Sequence, residues 1–265
     1  MEIFVQAVLL GIVEGLTEFL PVSSTGHLIL LGDLLGFKGP PGKTFEIVIQ
    51  LGAILAVCVV YWTRLTGAVL GLGHDPKARA FVRNILLGFL PAMVIGALAY
   101  KAIRALLDSP MVVAVALIGG GFVILALERM SKKARFFAVE DFPLPLSLKI
   151  GFFQCLAMVP GVSRSGATIM GALMVGVDRR AAAEFSFFLA IPTMSAATAF
   201  SLYKNWAELS FDNGALIAAG FAAAFLAALV VVRGAIAFIS RHGFAPFAWY
   251  RIVFGSVMLV LLLAK

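Results

Sequence analysis

Glu14 and Glu18 stand four residues apart in an otherwise apolar N-terminal stretch. On a helix that spacing puts both carboxylates on one face. There they can hold a hard divalent cation, Mg2+ or Ca2+; pairing with a buried arginine is their plainer use. A break at Pro21 follows, then Val22-Ser23-Ser24-Thr25-Gly26-His27. One hydroxyl after a break is an ordinary helix cap, and three in a row exceed that need. His27 lies three residues after Ser24 and four after Ser23, so a helix brings it beside either one. An imidazole next to a hydroxyl can activate a nucleophile or deliver a proton to a leaving group. A lone membrane histidine more often only holds structure.

A second polar break reads Pro160-Gly161-Val162-Ser163-Arg164-Ser165-Gly166-Ala167-Thr168. Arg164 sits in an apolar stretch and needs an anion. Its planar fork fits phosphate oxygens bidentately; a salt bridge to Glu14 or Glu18 is the alternative. Ser163, Ser165 and Thr168 can donate further hydrogen bonds. A helix N-terminus follows each break, with unsatisfied N–H groups and a positive dipole end. Two such ends facing each other suit a large anion such as a diphosphate. Gln50, four residues after Glu46 on the next helix, is deep enough to reach the same place or a neighbouring helix.

These residues lie in a chain built for lipid. Of its 265 residues 62% are hydrophobic and 13% charged, and the mean hydropathy is +1.03. Soluble domains are about 45–50% apolar and about 25% charged. The net charge of +7 does not signal nucleic acid, because the basic residues cluster in short loops. Cys58 and Cys155 show neither a disulfide framework nor metal-ligand spacing. Apolar segments run at roughly 3–35, 44–63, 84–107, 111–128, 146–175, 182–203, 214–240 and 246–264. Their Ala, Leu, Gly and Phe content reads as helix, not as alternating barrel strand.

Two basic loops, one with Arg64, Lys77, Arg79 and Arg83 and one with Arg129, Lys132, Lys133 and Arg135, belong in the cytoplasm. The tip between them, Asp108-Ser109-Pro110, then faces outside. Broken polar backbone at membrane depth needs a protein or water-filled surrounding. Segments 3–35 and 146–175 therefore read as re-entrant hairpins entering from opposite sides, leaving six spanning helices and both termini outside. The hairpins also match in sequence: Gly11, Leu16, Val22, Ser23 and Gly26 recur at a constant offset as Gly151, Leu156, Val162, Ser163 and Gly166, and Glu14 faces Gln154. The expectation is one all-α polytopic membrane domain. It would be an inverted repeat, about 1–130 and about 140–265, with its site at the midplane. Trp62, Trp206, Trp249 and Tyr250 fit interfacial belts, and Gly119-Gly120-Gly121 fits close helix packing.

The stretches Glu14–His27 and Pro160–Thr168 closely resemble the two signatures of the bacterial undecaprenyl-diphosphate phosphatases, also called bacitracin-resistance proteins. Phe45–Val57 resembles a third stretch of that family, and length and segment order fit throughout. The resemblance implies a multi-pass enzyme of the bacterial inner membrane, its active site open to the periplasmic face. It would hydrolyse the diphosphate lipid to the monophosphate, recycling the carrier for cell-wall synthesis. It also implies a divalent cation and admits a homodimer. Combined with the residues, it assigns Glu14 and Glu18 to metal binding or water organisation. Ser24 becomes the nucleophile and His27 its base and later acid. Arg164, with Ser163 and Thr168, binds phosphate, and Ser23, Thr25 and Ser165 support. His27 itself, or a metal-activated water, is the alternative nucleophile. A competing reading is a flippase or transporter of an anionic polyprenyl phosphate lipid, since inverted repeats also suit alternating access.

Overall fold

The computed structural model describes residues 2–40, 44–107, 109–130, 133–204 and 214–264. Asp108, Lys132 and Trp206 lie outside the described residues. Eleven α-helices follow one another among them: α1 Glu2–Thr17, α2 Ser24–Leu35, α3 Thr44–Val60, α4 Trp62–Leu70, α5 Pro76–Leu107, α6 Pro110–Arg129, α7 Leu144–Cys155, α8 Arg164–Met174, α9 Arg179–Lys204, α10 Gly214–His242 and α11 Ala245–Leu263. No strand forms among the described residues, apart from a single bridge between Phe136 and Val177.

Local chemistry sets the ends. Pro110 opens α6, a position that needs no N–H, and the Ser109 hydroxyl accepts from the Val112 N–H. Asp75 accepts from the Lys77 N–H just before α5. Gly36 closes α2 with φ at 58°, a conformation glycine takes without strain.

Five helices, α5, α6, α9, α10 and α11, are long and apolar enough to cross a membrane. The pair α3–α4 makes a sixth candidate, but it bends by 73° at Tyr61. The first basic stretch, expected as a loop, is thus largely helical: Arg64 sits on α4 and Lys77, Arg79 and Arg83 on the first turns of α5. The reason is local, since α4 is followed by a Gly-rich turn and α5 has its own cap and first-position proline. Exposed Trp62, Val69 and Leu70 on α4 suit a helix lying along a bilayer surface.

The broken segments behave alike. Helix α1 ends before Pro21 and folds back on α2, and α7 ends before Pro160 and folds back on α8. Helix α1 packs on α10 and α7 on α5, while α3 meets α10 and α9 meets α5. Helices α6 and α11 form a further close pair. Glycine makes the tightest approaches possible. A Cβ on Gly11 would sit 2.3 Å from the Gly220 carbonyl oxygen, and one on Gly151 2.4 Å from that of Gly88. The buried core runs along α9, where every residue from Ala181 to Ala190 is buried.

Candidate functional site

Both breaks place a serine in backbone conformations that side-chain-bearing residues avoid. Ser23 has φ 71° and Ser163 φ 77°, the two non-glycine residues with positive φ among those described. They are also counterparts in the two matching segments. Such strain persists only where surrounding contacts over-determine it, and it gathers at functional sites. Ser163 caps α8, its hydroxyl accepting from the Gly166 N–H at 3.1 Å. The Ser165 hydroxyl donates to the Leu20 carbonyl at 2.7 Å and so ties one break to the other.

Between the breaks lies a cavity of about 560 Å³. Its polar end holds Glu18, Ser23, Ser24, Thr25, Gln50, Ser163 and Arg164. Ser24 Oγ donates to Glu18 Oε2. Arg164 Nη2 donates to Glu18 Oε1 at 3.1 Å, and its Nη1 to the Ser186 carbonyl at 2.7 Å. Arg164 Nε is buried and has no partner. Carboxylate, hydroxyl and guanidinium therefore form one connected group that borders the cavity. Of the two uses expected of Arg164, the pairing with Glu18 is present, and the residue also lines the cavity.

Glu14 is 1% exposed, lies close to Glu18, Ser24 and Arg164, and accepts no hydrogen bond on either oxygen. Two carboxylates held together away from water need a proton or a cation between them. No three His, Cys, Asp or Glu side chains converge among the described residues, so these residues alone make no full protein cage. A carboxylate pair that leaves most positions to phosphate and water matches the way Mg2+ is usually held.

Three expected site residues stand elsewhere. His27 does not bond Ser24: its Nδ1 donates to the Ser23 carbonyl at 2.7 Å, and its Nε2 lies 2.6 Å from the Tyr250 hydroxyl. Its ring also stacks on Phe254 at 4.1 Å, outside the cavity wall. Helix α2 turns this face toward α11, which is why one turn of separation did not bring imidazole and hydroxyl together. Thr168 donates back to the Arg164 carbonyl at 2.8 Å, and Ser165 is spent on Leu20 and Ser163. Tyr250, half-exposed on α11 and expected in an interfacial belt, also bonds His27.

The sequence reading passed over Arg251. It is 1% exposed and has no carboxylate partner; it donates to the carbonyls of Pro21, Gly161, Val162, Ala116 and Leu117. It thereby pins both breaks to α6. Gly120 leaves room for it, since a Cβ there would lie 2.2 Å from Arg251 Nη2. An arginine inside the apolar segment 246–264 was the available signal, masked by the neighbouring Trp249 and Tyr250. Ser186 was likewise missed, because a lone serine in a helix carries no pattern.

The fold and this cavity define a helical membrane protein with a buried centre that joins carboxylates, a serine hydroxyl and a guanidinium. The chain belongs to the family described as bacitracin resistance protein BacA, whose family model matches residues 7–257. Among its relatives, undecaprenyl-diphosphatase 2 of Paramagnetospirillum magneticum is 65% identical over 260 residues, covering 98% of this chain and 99% of that protein. Undecaprenyl-diphosphatase of Sphingopyxis alaskensis is 61% identical over 97% of each chain. Undecaprenyl-diphosphatase 1 of Agrobacterium fabrum is 57% identical, covering 98% of this chain and 97% of that protein.

Proposed function

We infer that this chain is a membrane phosphatase that hydrolyses undecaprenyl diphosphate to undecaprenyl phosphate and inorganic phosphate. That activity recycles the carrier for peptidoglycan synthesis and confers resistance to bacitracin. The observation that carries the reading is the connected Ser24–Glu18–Arg164 group at the polar end of a cavity whose far wall is apolar.

Arg164, which lines the cavity, holds the terminal phosphate with its guanidinium and stabilises the charge that grows in the transition state. Ser24 Oγ attacks the terminal phosphorus while Glu18 takes its proton. The bond to the bridging oxygen breaks, and its electron pair leaves on undecaprenyl phosphate. Glu18 hands that proton to the departing phosphate oxygen; water then attacks the phosphoserine and gives a proton to Glu18, which returns it to Ser24 Oγ as the Ser24–phosphorus bond breaks. Inorganic phosphate is released. In this scheme the base is Glu18, and His27 holds α2 against α11. Mg2+ or Ca2+, held by Glu14 with Glu18, would neutralise the crowded diphosphate oxygens.

The same reading makes the two folded-back pairs re-entrant hairpins of an inverted repeat. It is supported by the shared offset, the paired strained serines, and the correspondence of the main helix contacts, α1 and α3 on α10 in one half with α7 and α9 on α5 in the other. The basic starts of α5 and α9 lie away from their cavity-lining residues, 89–103 and 193–200. By the positive-inside rule, this opens the cavity toward the periplasmic half of the inner membrane.

The test is phosphate release from undecaprenyl diphosphate by the purified protein, with and without chelator, beside Arg164→Ala. Release that needs metal and collapses in the variant is the expected result. A folded protein that binds the lipid and releases no phosphate would sink the phosphatase and promote the flippase.

A further inference from the structure

Both terminal nitrogens of Arg164 find acceptors in the protein, and the acceptors differ in strength. Nη1 donates to the Ser186 carbonyl at 2.7 Å and to the Ser186 hydroxyl at 3.1 Å. Nη2 donates to Glu18 Oε1 at 3.1 Å and to Met194 Sδ at 3.6 Å. Every one of these acceptors is oxygen except the last. Nε is buried, so an incoming phosphate meets the terminal nitrogens. The Phe19 ring lies 5.7 Å from the guanidinium carbon and steadies its plane.

A thioether is a weak acceptor. Met194 is 5% exposed and lines the cavity, as Arg164 does. Filling a gap is the plain use of a buried methionine, but this one has a polar neighbour. Helix α9 carries both Ser186 and Met194, so one helix grips Arg164 firmly through oxygen and loosely through sulfur. A leucine at 194 would leave a buried N–H without an acceptor, which is costly. An amide oxygen there would keep the N–H against a competitor. Sulfur satisfies the N–H and also lets it go. A phosphate oxygen is charged, and charge-assisted hydrogen bonds are roughly twice as strong as neutral ones. Of the bonds Arg164 makes, the one to sulfur is exchanged at least cost.

We propose that Met194 is a displaceable acceptor: its sulfur holds the Arg164 N–H that the terminal phosphate takes, and so sets how tightly that phosphate binds. This deepens the phosphatase reading and rests on it. As the phosphate oxygen arrives, the N–H···S contact breaks and an N–H···O bond forms, and no proton changes owner. Met194 acts through Arg164 and is a positioning residue.

The test compares Met194→Leu, Met194→Gln and Met158→Gln in the intact protein in detergent. Two things are measured: kcat and KM for undecaprenyl diphosphate, and the inhibition constant of inorganic phosphate, a probe without a tail. Met194→Gln retains the N–H, so KM and the inhibition constant should both rise roughly tenfold with kcat unchanged, the mark of binding lost equally from ground and transition states. Met194→Leu keeps the volume and removes the acceptor. Phosphate then relieves an unpaired donor, and its inhibition constant should fall about twofold or more. Met158 lines the same cavity and is not among the partners of Arg164, so Met158→Gln should leave the inhibition constant unchanged. Shifts of the same sign in Met194→Leu and Met194→Gln, or an equal rise in Met158→Gln, would overturn the proposal, because packing or cavity polarity would then account for them. If Met194→Gln does not fold, Met194→Leu decides alone, and an unchanged or higher inhibition constant overturns it. Unsubstituted protein that releases no phosphate would overturn the phosphatase reading itself, a separate outcome. The rise in unfolding temperature with added phosphate then replaces the inhibition constant and still decides whether Met194 governs phosphate binding.

Discussion

Ser24 and Glu18 depend on each other. Glu18 accepts from Ser24 and from Arg164, so the proposed base is held against the hydroxyl of the proposed nucleophile. Ser24→Ala and Glu18→Gln should each lower kcat by about 10²–10⁴-fold, the usual worth of a positioned nucleophile and base. Phosphate release under saturating lipid measures this. Both variants should still bind the diphosphate, because Arg164 is untouched. Arg164→Lys should fail almost as fully as Arg164→Ala, since one ammonium cannot bond Ser186 and Glu18 and still offer a third donor. His27→Gln should cost clearly less than Ser24→Ala, because the imidazole points at Tyr250 and not into the cavity. A drop equal to that of Ser24→Ala would return the base role to His27.

Helix ends and helix contacts position those groups. Ser163 caps α8, and its loss in Ser163→Ala leaves the Gly166 N–H without its acceptor at a cost of about 1 kcal/mol. The same turn carries Arg164, so the melting temperature in detergent and the KM for lipid should shift together. Close packing is tested at Gly151. Alanine there must push α7 off α5, because its Cβ would lie 2.4 Å from the Gly88 carbonyl oxygen. Over-packing of this kind costs about 1–3 kcal/mol, read as a lower unfolding temperature. Gly119→Ala is the control on the glycine run: nothing lies within 4 Å of its Cβ position, so it should be neutral.

Arg251 holds the molecule together where the two breaks meet. Its guanidinium donates to carbonyls from the first break, the second break and α6. Arg251→Met fills similar volume but leaves those carbonyls without their donor, at roughly 1–3 kcal/mol for each one that stays unsatisfied. Activity and thermal stability should fall together, in contrast to Ser24→Ala, which should lose activity alone. Thermal unfolding of the two variants side by side makes that distinction.

Much of this was legible before any coordinates. Apolar length marked the membrane helices, because a bilayer accepts only segments that satisfy their own backbone. Pro21 and Pro160 marked the breaks, because proline cannot continue the helix ladder. Glu18, Ser24 and Arg164 stood out because polar groups are costly in lipid and are kept for a use. The tertiary structure alone decided which of them touch. Helical spacing placed His27 near Ser24 but could not show which way α2 faces, and packing against α11 gave that imidazole to Tyr250. The cost of a buried charge named Glu14 or Glu18 as a partner for Arg164, but only the fold, across 146 positions, chose Glu18. The partners of Arg251 leave no trace in local pattern, being backbone carbonyls that every residue possesses.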